Sequence, residues 1–122
     1  MATYQNQEVI TLVSAGDLSA DQFHFLTVDN TGKVAVSGNG DNSVGVLLND
    51  PDGADQAAQV AISGKTRVEA GGGLTAGALV ASNASGQAVV ATASDSILGV
   101  AIDAAGGAGE IISIVFNPRG YA

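Results

Sequence analysis

The sequence predicts an all-β protein: a small glycine-rich β-barrel or sandwich made of two similar strand modules behind an N-terminal arm. Three observations predict it. The apolar runs are short and rich in Val and Ile. Clusters of Gly, Asn and Asp separate them, with 17 Gly and two Pro in 122 residues. The chain also repeats itself. Asp29-Asn30-Thr31-Gly32-Lys33-Val34-Ala35-Val36 lines up with Asn83-Ala84-Ser85-Gly86-Gln87-Ala88-Val89-Val90, an offset of 54 residues (Gly32 to Gly86).

Each element follows from a run and the turn that ends it. Glu8 to Val13 is β-branched and stops at Ala15-Gly16-Asp17. Phe23 to Val28 runs into Asp29-Asn30-Thr31-Gly32, where Asn and Gly tolerate positive φ. Lys33 to Val36 ends at Ser37-Gly38-Asn39-Gly40-Asp41-Asn42, and Val44 to Leu48 at Asn49-Asp50-Pro51-Asp52-Gly53. Gln59 to Ile62 closes the first set before Ser63-Gly64. Helix is confined to Asp55–Ala58, too short to stand alone.

The 54-residue offset carries Asp41 to Asp95, Val44-Gly45-Val46 to Leu98-Gly99-Val100, and Val60 and Ile62 to Ile114 and Phe116. Upstream, Asp17-Leu18-Ser19-Ala20 matches Gly73-Leu74-Thr75-Ala76 at 56, so the second copy is two residues shorter near its first strand. Residues 1–16 read as an arm and first strand outside the duplication. Residues 17–122 read as one β domain with repeats at about 17–70 and 73–122, packed about a pseudo-twofold axis and joined through Gly71-Gly72-Gly73. Neither half buries enough surface to fold alone. Gly45 and Gly99 sit mid-strand, where Gly costs about 0.5–1 kcal/mol relative to Ala. That cost at equivalent places predicts a bulge, a bend or a close backbone approach.

Composition narrows the function. Twelve acidic against four basic residues give a net charge of −8, which disfavours direct contact with nucleic acid or an anionic membrane. With no Cys, disulfides and thiolate chemistry are excluded. Met1 to Gln7 has neither a basic nor an apolar stretch, so we expect a product made in the cytoplasm.

Enzyme signatures are sparse, and the expectation is a protein that is not an enzyme and needs no cofactor. His24 is the single histidine and reads as an interfacial side chain rather than a general base. Gly64-Lys65-Thr66 resembles the end of a P-loop, but Gln59 stands where that motif needs Gly. The acidic loop Asn49 to Asp55 lacks EF-hand spacing, because Val60 and Ala61 fall where the bidentate Glu belongs; a solvated turn is the simpler reading than a calcium site. Tyr4, Gln5, Asn6 and Gln7 in the polar arm, and Tyr121 in the tail after the last strand, are the candidate contact residues.

Gly73-Leu74-Thr75-Ala76-Gly77-Ala78-Leu79-Val80, Ser85-Gly86-Gln87-Ala88-Val89, Leu98-Gly99-Val100-Ala101 and Gly109-Glu110-Ile111-Ile112-Ser113-Ile114 together resemble small tailed-phage capsid cement (head decoration) proteins. The likeness extends from about Glu8 to Phe116. The Phe23–Val28 strand and the Asp50–Asp55 loop are its less typical parts. It implies a virion protein on the outer surface of the mature head. The major capsid protein would be its partner, and it would stabilise contacts between capsid subunits by binding rather than chemistry. It also implies a homotrimer, with a dimer as the alternative. A second reading is another phage structural or adhesive module, fibre-associated or carbohydrate-binding. Three Phe and two Tyr leave little for the aromatic platform that sugar binding uses.

Overall fold

The computed structural model describes residues 7–122. The described elements are β1 (Gln7–Val13), β2 (Phe25–Val28), β3 (Val34–Val36), β4 (Gly45–Leu47), β5 (Ala57–Glu69), β6 (Leu79–Ser82), β7 (Ala88–Val90), β8 (Gly99–Ala101) and β9 (Ile111–Phe116). All are antiparallel partners in a single sheet, ordered β3-β2-β4-β5-β9-β8-β6-β7, with β1 added against β5. The sheet curls strongly into a half-barrel, so the all-β expectation holds.

Pairing repeats at the offset read from the sequence. Val28 faces Val34 as Ser82 faces Ala88, and Leu26 faces Gly45 as Val80 faces Gly99. Leu47 faces Val60 as Ala101 faces Ile114. Identical register follows from identical turns. In the first copy the Asp29 Oδ1 accepts from the N–H groups of Thr31 (2.9 Å) and Lys33 (3.0 Å). In the second, Asn83 Oδ1 accepts from Ser85 N–H (2.9 Å) and Gln87 N–H (3.0 Å).

β1 departs from the sequence expectation, because it belongs to the duplication. Val13 faces Ala57 as Glu69 faces Ile111, and Leu12 faces Ala58 as Val68 faces Ile112. β1 is therefore to the first copy what the second half of β5 is to the second. The boundary between copies runs through β5, at Gly64 (φ 85), and not through Gly71-Gly72-Gly73. Gly64 takes positive φ at no steric cost, and β5 continues past the stop expected at Ser63-Gly64 because β9 pairs with it from Gly64 to Glu69. The two-residue difference lies before β2 and β6. Phe23 and Gly77 hold the same place, with their N–H groups donating to the carbonyls of Leu47 and Ala101, both at 2.7 Å. Phe23 takes positive φ (66°) where the second copy has Gly, so β2 begins only at Phe25. The short helix allowed at Asp55–Ala58 is absent; Asp55 has φ 62° and Ala57 opens β5.

Each copy has its own core, from equivalent positions. Leu18, Leu26, Val34, Leu47, Ala58 and Val60 cluster in the first; Leu74, Val80, Ala88, Ala101, Ile112 and Ile114 do so in the second. Two first-copy side chains break this symmetry. Phe25 and Val46 point away from their own core into the second one, where the Phe25 ring lies 6.2 Å from that of Phe116. The counterpart of Phe25, Leu79, is 40% exposed. The copies thus meet through different surfaces, head to tail, rather than by the mutual exchange of faces that a pseudo-twofold axis requires.

The turn at Asp29 has a pH signature. Hydrogen bonds from the Thr31 hydroxyl and from the Lys33 and Thr31 amides hold its carboxyl below the ordinary value. A carboxylate lowered on folding contributes stability at neutral pH. That contribution is lost as the pH falls through the lowered value. Asp29→Asn should keep the turn, as Asn83 does in the second copy, and should flatten the fall in melting temperature as the pH drops below the ordinary carboxylate range. Thermal unfolding of both proteins across that drop tests this; parallel curves would remove Asp29 from the acid response.

Candidate functional site

The expected contact residues divide in two. Tyr4, Gln5 and Asn6 lie outside the described residues, and Gln7 enters β1 with its backbone opposite Gly64. Tyr121 is 75% exposed and bridges backbone to backbone with Ser96. The tail around it is tied down rather than frayed. Asn117 and Arg119 donate to the carbonyls of Leu98 and Ile97, and Ala122 donates to that of Asp95. The ring of Tyr121 therefore projects from a fixed strip of backbone.

His24 is buried at the junction between copies. Its Nε2 lies 3.0 Å from Glu69 Oε2, which also accepts from Gln87 Nε2, and its Nδ1 is 3.4 Å from Asp21 Oδ1. The Glu69 N–H donates to the Phe23 carbonyl beside it, at 2.9 Å. This network fastens the loop before β2 to β5 and to the β6–β7 turn. A ring enclosed this way positions backbone, which is the interfacial role its sequence context indicates.

The other polar motifs are also structural. Gly64-Lys65-Thr66 is mid-strand in β5, paired residue by residue with β9, whereas a P-loop needs those amides free at a helix start. In the acidic loop, Asp52 accepts from Gln56 Nε2 (2.9 Å) and Asp55 pairs with Lys33 Nζ (2.6 Å). Among the described residues, no three His, Asp or Glu side chains gather to hold a metal.

What remains is surface, and it is uneven. Large exposed apolar side chains include Val13 and Val28 on the first copy and Leu79 and Val90 on the second. Thr27, Val28, Asn42, Ser43 and Val44 line an open hollow of about 420 Å³. A smaller one, about 160 Å³, lies between Asn42 and the tail, bordered by Ser96, Pro118 and Tyr121. Sequence reasoning missed these residues because period-2 alternation marks a strand's two faces without saying which face another module covers.

No protein-family model matches the sequence, and no curated protein matches it. Among solved structures, the head fiber gp8.5 N base of bacteriophage phi29 superposes with a TM-score of 0.73 at 16% identity. The chain has the fold of that base. The match covers 96% of this chain and 98% of the other, so both copies and the junction between them are included.

Proposed function

We propose that this chain is a structural protein of a tailed-phage head: a capsid decoration protein that binds the outer surface of the mature shell and stabilises contacts between major capsid subunits. One observation carries the reading. Its fold, over nearly the whole length of both chains, is that of a phage head fiber base. The cement-like glycine-punctuated strands point the same way, and so does a surface that offers apolar side chains and backbone rather than a reactive cleft. Function by binding alone fits this surface, and the protein acts without catalysis or a cofactor. A specific contact of about 800 Å² per partner is within reach of a domain of this size. Several such contacts on a symmetric shell gain affinity through avidity.

The name of the neighbour favours a second reading, the base of a head fibre. Imaging of heads with and without the protein tests both. A compact knob at defined lattice points supports decoration, density continuing outward into a stalk supports the fibre base, and bare heads overturn both. Deleting residues 2–7 is expected to lower occupancy several-fold while the isolated chain still melts cooperatively. Unchanged occupancy would remove the arm from the contact.

A further inference from the structure

We infer that this chain associates with further copies of itself head to tail, repeating between molecules the junction that joins its two copies within one. The inference does not depend on the function proposed above. It rests on which surfaces the internal junction uses and on what their equivalents do.

Within the chain, the first copy presents a plug and the second a socket. The plug comprises Phe25, Val36 and the Gly38–Asp41 loop. Phe25 N–H donates to the Gly86 carbonyl (2.7 Å), Gly40 N–H to that of Ser82 (2.8 Å), and Ser96 N–H to that of Gly40 (3.1 Å). A Val36 methyl lies 2.7 Å from where a Cβ on Gly86 would sit, so the two turns are in close contact.

Shifting these positions by one repeat shows two open ends. The plug of the second copy consists of Leu79, Val90 and the loop carrying Ser94, and its two apolar residues are exposed by 40% and 47%. Ser94 adopts φ 73°, matching Gly40 at 70°. The socket of the first copy is bounded by Val13 and Val28, exposed by 43% and 47%, and by the Gly32 turn. The 420 Å³ hollow lined by Val28, Asn42 and Ser43 is the place that, one repeat on, the Gly40 loop occupies.

Side-chain chemistry matches as well. His24 against Glu69 becomes Ala78 against Val13, and Phe25 against Phe116 becomes Leu79 against Ile62. These two pairs are apolar on both sides, and Lys33, at the place of Gln87, is already paired with Asp55. Ser94 gives its N–H to the Ala122 carbonyl (3.1 Å) in the single chain, so docking exchanges that bond for one to the Val28 carbonyl. Because plug and socket differ, the contact is heterologous, and copies close into a ring if the rotation allows.

The chain has no Cys, so disulfide trapping reads out cleanly. Full-length Val13→Cys and Ala78→Cys, mixed under mild oxidation, should form a disulfide-linked pair that neither forms alone. Wild type should sediment at a mass above 11.9 kDa, and Leu79→Asp should return it to that mass with an unchanged β circular dichroism spectrum. Three outcomes would overturn the inference. One is wild type that stays monomeric at about 100 µM, where a micromolar contact is largely occupied. Another is self-linking by either single variant, which marks a twofold contact. The third is a chain that oligomerises only after deletion of residues 1–6, which would mean that its own N-terminus fills the socket.

Discussion

Gly99→Ala is expected to destabilise the chain by about 3 kcal/mol or more, and Gly45→Ala to do the same. At Gly99 an added Cβ would overlap the carbonyl oxygen of Val115; at Gly45 it would overlap that of Ala61 and lie 2.6 Å from a Val60 methyl. Backbone cannot retreat as a flexible side chain does. Each substitution must pry β4 from β5, or β8 from β9, at a glycine that is itself buried. A penalty of that size is a large share of the roughly 5–15 kcal/mol that holds a domain together, and corresponds to a fall in melting temperature of about 10 °C or more. Gly72→Ala is the matched control, since nothing lies within 4 Å of its Cβ position and its φ is ordinary. It should stay within about 0.5 kcal/mol of wild type. Equal melting temperatures for Gly99→Ala and Gly72→Ala would refute the close-approach argument.

Phe25→Ala should cost about 3–5 kcal/mol, as expected for a fully buried aromatic side chain. It should also loosen the coupling between copies, because Phe25 sits in the core of the copy that does not contain it. In a chain of stacked units, stability is the sum of each unit and its junction with the next, so weakening the junction lowers the cooperativity of the whole and lets the less stable copy open first. Calorimetry would show a broader transition, with the van't Hoff enthalpy falling below the calorimetric one. Leu79→Ala, at the equivalent position, should cost about 1 kcal/mol or less in the dissociated chain, since Leu79 is half-exposed there. Equal losses at the two positions would mean that the copies bury equivalent faces, and the head-to-tail description would fail.

Much of this fold is legible in the sequence. The β-branched runs and their glycine and asparagine turns are local signals, and local sterics decide them. The Asp29 and Asn83 turns close in the same way because a side-chain oxygen two and four residues before the amides it binds is a property of sequence spacing. The duplication could be read as an offset, and the mid-strand glycines as a backbone constraint that the structure identifies as close approach. The membership of β1 was not legible, because Glu8–Val13 and Gly64–Glu69 have equivalent pairing partners rather than similar residue types. The length of β5 was hidden for a related reason. Gly64 looks like a terminator in sequence, but pairing with β9, supplied from about 50 residues later, carries the strand through it.

The contact surfaces were the least visible part. Tyr121 was singled out for its chemistry, and the structure does expose it. Phe25 and Leu79 occupy one repeat position and are both apolar, so nothing in their types separates them. Sequence alone determined the strand class, the turns, the repeat and the absence of thiol chemistry, since each depends on what neighbouring residues permit. Only tertiary structure decided that one of these two residues is covered and the other is left bare, because burial depends on what lies beyond the strand, and one junction between two copies necessarily leaves an unfilled end on each.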